Sequence, residues 1–184
     1  MDAEFTHLAE VGSTNDWLLA RADALPDGHW VITDRQTAGR GRRGRLWNDG
    51  SDNFMGSVLV KADGQVQQLS FVVALALHDA LAVLTGKPAR FALKWPNDVL
   101  LDATKCSGIL LERQGAALVI GIGVNLAHHP EGTERPATSL AAAGLPVPAP
   151  TALLDQLAPA FAHWRGVWAA QGFAPIRAAW LARA

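Results

Sequence analysis

Between Phe91 and Val124 the chain is written as short apolar runs parted by tight polar breaks, and this alternation constrains the fold more than any other feature. Phe91 to Trp95 reads as a strand broken by Pro96, with Asn97-Asp98 at its end. Val99 to Leu101, Gly108 to Glu112 and Ala117 to Val124 read as successive strands, with turns at Asp102-Ala103 and Gln114-Gly115. Short strands joined by tight turns favour antiparallel pairing. Upstream, Trp30 to Thr33 is a short β-branched strand and Asn53 to Lys61 a buried one. Leu69 to Leu84 is apolar nearly all round, which implies a helix lying deep against a sheet, stopped by Gly86 and Pro88. Ser13, with Asp16 three residues on, fits the cap of another helix, in which Leu18, Leu19, Ala22 and Leu25 recur at helical spacing up to Pro26-Asp27-Gly28. A proline-rich connection runs from Pro130 to Pro150. Thr151 then caps a helix to about Trp168, and a last helix covers Pro175 to Arg183. The expected fold is α+β: a mixed, largely antiparallel sheet with helices packed on one face.

With 184 residues, one compact domain is expected, and no internal repeat is visible. The 16 basic and 17 acidic residues leave a net charge of −1, so no global field draws the chain to nucleic acid or to an anionic membrane. Neither is expected as a partner. Cys106 is the only cysteine, which excludes an internal disulfide and suits a reducing compartment. The first residues lack a basic region followed by an apolar run, and the longest apolar stretch, around Phe71 to Leu77, is too short to span a bilayer. The expected location is the cytoplasm.

From Arg35 to about Asp52 the chain is nearly free of apolar residues, and loops of that length tend to be functional. Inside it stands Gly39-Arg40-Gly41-Arg42-Arg43-Gly44-Arg45-Leu46-Trp47, which packs four of the chain's 16 basic residues into six positions. Glycines let the backbone approach a ligand closely, and arginine forks bind phosphate or carboxylate oxygens in pairs. A nucleic-acid patch and a plain surface loop are the competing readings, although a nucleic-acid domain usually carries a broader basic face. Lys94-Trp95-Pro96-Asn97-Asp98 places a lysine, an amide and a carboxylate at a strand end. Asp98 suits Mg²⁺ bridging phosphates, or else it is a turn residue. Lys105 opens the run Cys106-Ser107-Gly108-Ile109-Leu110-Leu111-Glu112. Surface lysines there usually do nothing, but an ammonium in that place can neutralise both a ligand carboxylate and a phosphate. Gly121-Ile122-Gly123-Val124-Asn125 lacks the third glycine and the βαβ context of a dinucleotide fingerprint, and there is no Walker A sequence. His128-His129 and Cys106 carry no metal or nucleophile signature.

Together these motifs resemble the biotin–protein ligases. The resemblance rests on Ser13-Thr14-Asn15, on Gln36-Thr37-Ala38-Gly39 running into the arginine loop and Trp47, and on Lys94-Trp95-Pro96-Asn97-Asp98. It continues through Lys105 with Ser107-Gly108-Ile109-Leu110, Gly121-Ile122-Gly123-Val124-Asn125, and Pro136-Ala137-Thr138-Ser139-Leu140. It implies the biotin/lipoate ligase catalytic fold, related to that of class II aminoacyl-tRNA synthetases. It also implies biotin and ATP as substrates with Mg²⁺, biotinyl-5′-AMP as intermediate, and a lysine of a biotin carboxyl carrier protein as acceptor. Carried over, Ser13, Thr14, Asn15 and Gln36 would contact the ureido ring and its surroundings; Gly39, Arg40, Gly41, Arg42, Arg43, Lys105 and Gly108 would also bind biotin, and Arg40, Gly41, Arg42 and Arg43 would form the loop that folds over the adenylate. Lys105, near Gly108, would bridge carboxylate and α-phosphate. Lys94, Asn97, Asp98 and Asn125 would lie near the nucleotide, with Arg45 and with Trp47 beside the adenine. Lys105, Arg40 and Arg42 are the expected catalytic groups. Only twelve residues precede Ser13, so no N-terminal DNA-binding domain is expected, and the small C-terminal β domain common in the family is not expected either. Two alternatives remain: a lipoate–protein ligase, whose arginine-serine-glycine-rich signature is absent, and a non-catalytic biotin or biotinyl-AMP binder. The oligomeric state is open, a homodimer included.

Overall fold

The computed structural model describes residues 4–47, 52–62, 64–132 and 136–184. The elements in chain order are β1 (Phe5–Leu8), α1 (Thr14–Leu19), β2 (Trp30–Thr33), β3 (Phe54–Lys61), α2 (Leu69–Thr85), β4 (Phe91–Lys94), β5 (Asp98–Leu101), β6 (Thr104–Gln114), β7 (Ala117–Val124), α3 (Pro150–Gln171) and α4 (Phe173–Leu181). The strands form one seven-stranded sheet in the order β1-β2-β3-β7-β6-β5-β4. Every pairing is antiparallel except β1 with β2. This is the α+β arrangement expected from the tight spacing of the apolar runs, and β2 and β7 keep the bounds read from the sequence.

Side-chain alternation divides each strand between two faces. On one face Val58 and Val60 of β3 and Leu118, Ile120 and Ile122 of β7 join the core shared with α2, α3 and α4. Leu75, Leu77 and Leu81 of α2 are fully buried there, between the sheet and α3. On the opposite face Leu18 and Ala22 cover Val31, Leu59 and Val119 in a small second cluster. The three longer helices thus share one face as expected, while the short α1 lies on the other. That second face, at the N-terminal end of α1, carries the candidate site.

Several boundaries differ from the sequence reading for local reasons. α1 stops at Leu19, since the next residues tighten into turns in which Arg21 N–H donates to Leu18 O and Ala24 N–H to Arg21 O. β6 starts at Thr104 rather than Gly108, because Thr104 and Lys105 pair with β5 across a register shift. α3 starts at Pro150 with Ala149 as its cap residue and no side-chain cap, so Thr151 does not cap it. Proline suits the first turn because its missing N–H has no partner there to lose. β1 was not legible: its outer positions are exposed, and pairing with β2 rather than burial holds it. The expectation that no segment is long enough to cross a bilayer also needs correction. The helical stretch Val66–Thr85 meets that length and apolarity, with a mean hydropathy of 1.7. It is apolar all round because it is covered by the sheet on one side and by α3 and α4 on the other.

Candidate active site

Three glycines on adjoining strands floor the site. Gly108 of β6 pairs with Gly123 of β7, and Gly121 lies two residues along. Close approach, not backbone conformation, demands glycine here. A Cβ on Gly121 would stand 2.5 Å from Asn15 Oδ1, one on Gly123 2.4 Å from the Trp47 ring, and one on Gly108 3.0 Å from that ring. The motif Gly121-Ile122-Gly123 is thus a bare strip of sheet on which side chains from other elements lie.

A polar wall rises at one end, where Ser13, Thr14 and Asn15 at the start of α1 are each under 5% exposed. The N–H and the hydroxyl of Thr14 both donate to Gln36 Oε1, at 2.9 and 3.1 Å. Ser57 of β3 places its Oγ 2.7 Å from Thr14 Oγ1 and 2.6 Å from Asn15 Oδ1. Asn15 Nδ2 donates to Glu112 Oε2 at 2.7 Å. Buried hydroxyls and amides without net charge suit a neutral polar ring.

The arginine segment forms a cover over the floor. Its base is closed by the bridge between Arg40 and Leu46, by Gly41 N–H to Arg45 O at 2.7 Å and by Trp47 N–H to Gly39 O at 3.0 Å. A 3-10 turn over Arg42–Gly44 makes the tip, with Arg43 in the left-handed region at φ 60°. Arg42, Arg43 and Arg45 are exposed at this tip, and Arg42 Nη1 reaches Asn97 Oδ1 at 3.3 Å. Arg40 is set differently: its guanidinium is held by Asp16 and Glu112. The Asp16 carboxyl is held below the usual carboxylate range by its hydrogen bonds from Arg40, and the Arg40 pKa is raised in turn.

The far wall comes from the β4–β5 turn and the start of β6. Lys105 Nζ lies 2.6 Å from Asp98 Oδ1 and 5.9 Å from the centroid of the Trp47 ring. Asn97 is fixed by its own Nδ2 donating to Ile109 O at 2.7 Å and by Ile109 N–H to Asn97 O at 3.0 Å. Lys94, exposed, pairs across the strand with Asp98. Asn125 is buried and donates from Nδ2 to Thr138 O at 3.0 Å, while Thr138 N–H donates to Lys105 O. The segment 136–140 therefore braces the strand that presents Lys105.

These walls enclose a cleft of about 990 Å³. Every residue expected from the sequence to bind biotin or nucleotide lines it except Gly39, which is buried behind Gln36 and Trp47. Sequence reasoning missed Ser57, gave Asp16 only a capping role and gave Glu112 none. A serine inside the apolar run of β3 was the available signal for the first. Cys106 is fully buried and its thiol is pushed up to about 12 by burial, which fits the reading that it is no nucleophile. Among the described residues no group of three or more His, Cys, Asp or Glu side chains is poised to hold a metal.

The model of the biotin/lipoate A/B protein ligase family matches residues 8–125, which takes in both walls, the floor and the arginine segment. The chain belongs to this family. Among its relatives is the biotin–[acetyl-CoA-carboxylase] ligase of Paracoccus denitrificans, 47% identical over 191 residues, an alignment covering 96% of this chain and 79% of that protein. The Mycobacterium tuberculosis ligase of the same name is 41% identical over 170 residues, covering 86% of this chain and 64% of the relative. Of solved family structures, the Aquifex aeolicus biotin protein ligase in complex with biotin and ATP superposes with a TM-score of 0.87 at 28% identity, over 98% of this chain and 78% of that one. The Leishmania major biotin protein ligase in complex with biotinyl-5-AMP gives 0.79 at 30% identity, over 90% and 76%.

Proposed function

We propose that the chain is an ATP-dependent biotin–protein ligase. It joins biotin to AMP with release of pyrophosphate, then passes the biotinyl group to a lysine of a biotin carboxyl carrier protein. The observation that carries this reading is one cleft with two unlike ends: an uncharged hydrogen-bonding wall at Ser13, Thr14, Asn15 and Gln36, and cations at Lys105 and the arginine tip. A neutral ureido ring suits the first end and an acyl phosphate the second.

In the first step a biotin carboxylate oxygen forms a bond to the α-phosphorus, and the bond from that phosphorus to the bridging oxygen breaks, releasing pyrophosphate. Two anions must meet, and Lys105, held by Asp98 at 2.6 Å, is the group assigned to lie between them. A preorganised cation at such a point lowers the barrier because its attraction grows as charge gathers in the transition state. Arg42, Arg43 and Arg45, with Lys94 and Asn97, are assigned to the nucleotide, and Trp47 to the wall beside it. The arginine tip, ordered over the mixed anhydride, excludes water from it. In the second step the carrier amine attacks the acyl carbon, AMP leaves and the amine loses a proton. A magnesium ion arriving with the nucleotide fits Asp98, since this ion usually takes one or two carboxylates besides phosphate oxygens, and it supplies charge neutralisation of the triphosphate. The lone buried thiol suits the reducing cytoplasm, where a carboxylase carrier would be met.

Pyrophosphate release tests the reading. Expected is release only when biotin, ATP and Mg²⁺ are present together, followed by label on an apo-carrier lysine. Release with lipoate in place of biotin, or none with any acid, would overturn it.

A further inference from the structure

Arg40 differs from its neighbours in the arginine loop, because nearly all its donors are spent on protein carboxylates. Nη1 and Nη2 donate to Asp16 Oδ2 and Oδ1 at 2.7 and 2.6 Å, and Nη2 and Nε donate to Glu112 Oε2 and Oε1 at 2.9 and 3.1 Å. Paired carboxylate forks of this kind fix a guanidinium in plane and direction. Arg40 is also one end of the bridge to Leu46 that closes the base of the loop. These bonds tie the base of the loop to α1 through Asp16 and to β6 through Glu112.

Glu112 does a second thing at the same time. Its Oε2 accepts from Asn15 Nδ2 at 2.7 Å, and Asn15 is 3% exposed, pressed onto Gly121. The two ends of an asparagine amide are nearly the same shape, so only their partners decide which way it faces. Glu112, an acceptor only, takes the nitrogen end and turns Oδ1 towards Ser57 Oγ at 2.6 Å. One carboxylate on β6 thus sets both the polar wall and the anchor of the arginine loop.

We propose that Glu112 is a positioning residue that couples the two halves of the cleft, orienting Asn15 for the ring and holding Arg40 so that the loop tip closes over the intermediate. This rests on the ligase reading given above, so the wild-type protein is assayed first. If it forms no biotinyl-AMP, that reading fails; if it turns over and the variants below match it, the coupling alone fails. Glu112→Gln keeps a neutral oxygen for Asn15 and Arg40 Nη2 but removes the charge and sets an N–H₂ against Arg40 Nε. Expected for it is biotin affinity within about threefold of wild type, measured without nucleotide, together with biotinyl-AMP escaping to solvent at least about tenfold faster, as befits loss of a charge-assisted contact. Glu112→Ala loses both, with biotin binding weakened about tenfold as well. Asp16→Asn, which keeps Glu112, raises escape less than Glu112→Gln does and leaves biotin affinity alone. If Glu112→Ala does not fold, Glu112→Gln and Asp16→Asn decide. Wild-type escape rates in both, or a loss of biotin affinity in Glu112→Gln that matches its rise in escape, would overturn the proposal. A purely structural role would instead move affinity, escape and the unfolding midpoint together.

Discussion

Lys105 and Arg42 divide the chemistry between them, and single substitutions separate their parts. Lys105→Gln removes the cation assigned between carboxylate and phosphate and leaves Asp98 without its partner at 2.6 Å. Biotin-dependent pyrophosphate release should fall by about 10²–10³, the usual loss for one preorganised donor, while biotin affinity changes far less. Arg42→Gly should leave adenylation measurable but release free biotinyl-AMP that labels bystander lysines; unchanged retention would contradict the role given to the tip. Cys106 offers a test of burial. Its thiol is pushed up to about 12 from an ordinary 9.0, so the unfolded chain loses that proton first as pH rises. Stability tied to this group is whole below pH 9 and drains away between 9 and 12. Against Cys106→Ala, wild type should lose roughly 1 kcal/mol of relative stability between pH 7 and 10, read by denaturant titration. At this scale the arginine loop was legible from residue type, whereas Lys105 and the polar triplet stood out only through the resemblance; all of them line the cleft. Ser57, Asp16 and Glu112 were not legible, since their meaning lies in partners brought from other elements.

Among the elements, the strands that floor the cleft were the easiest to read and the short pieces the hardest. β7 was bounded correctly because the tight turn at Gly115-Ala116 precedes its apolar run and polar Asn125 follows it. α1 was read too long: Ala22 and Leu25 follow helical spacing, yet they sit in successive turns that still bury Ala22 beside Leu18. The β5–β6 turn carries two non-glycine residues in the left-handed region, Asp102 at φ 48° and Ala103 at φ 62°. Alanine is disfavoured there by contact of its Cβ with the backbone, whereas Asp-Gly is a preferred two-residue hairpin. Ala103→Gly should therefore stabilise the protein by about 1 kcal/mol, seen as a higher thermal midpoint with activity unchanged. A lower midpoint would mean that the turn is not the strained element described.

For the whole molecule, the sheet divides labour between its faces. One face buries α2 beneath α3 and α4, and the other carries α1, the glycine floor and the arginine cover. Leu77→Ala, at a fully buried position on α2, should lower stability by about 2–5 kcal/mol while leaving the KM for biotin unchanged in whatever remains folded, because the cavity opens on the face away from the cleft. The α+β class was legible from strand spacing, and the division of faces was not, since it depends on which way α1 crosses the sheet. The central claim is that the cleft makes a biotin carboxylate attack the α-phosphorus. The most direct check uses biotin labelled with ¹⁸O in its carboxylate, with ATP and an apo-carrier. Each AMP released on transfer should carry one labelled oxygen. AMP free of label, with biotin on the carrier, would mean that the acyl phosphate never formed.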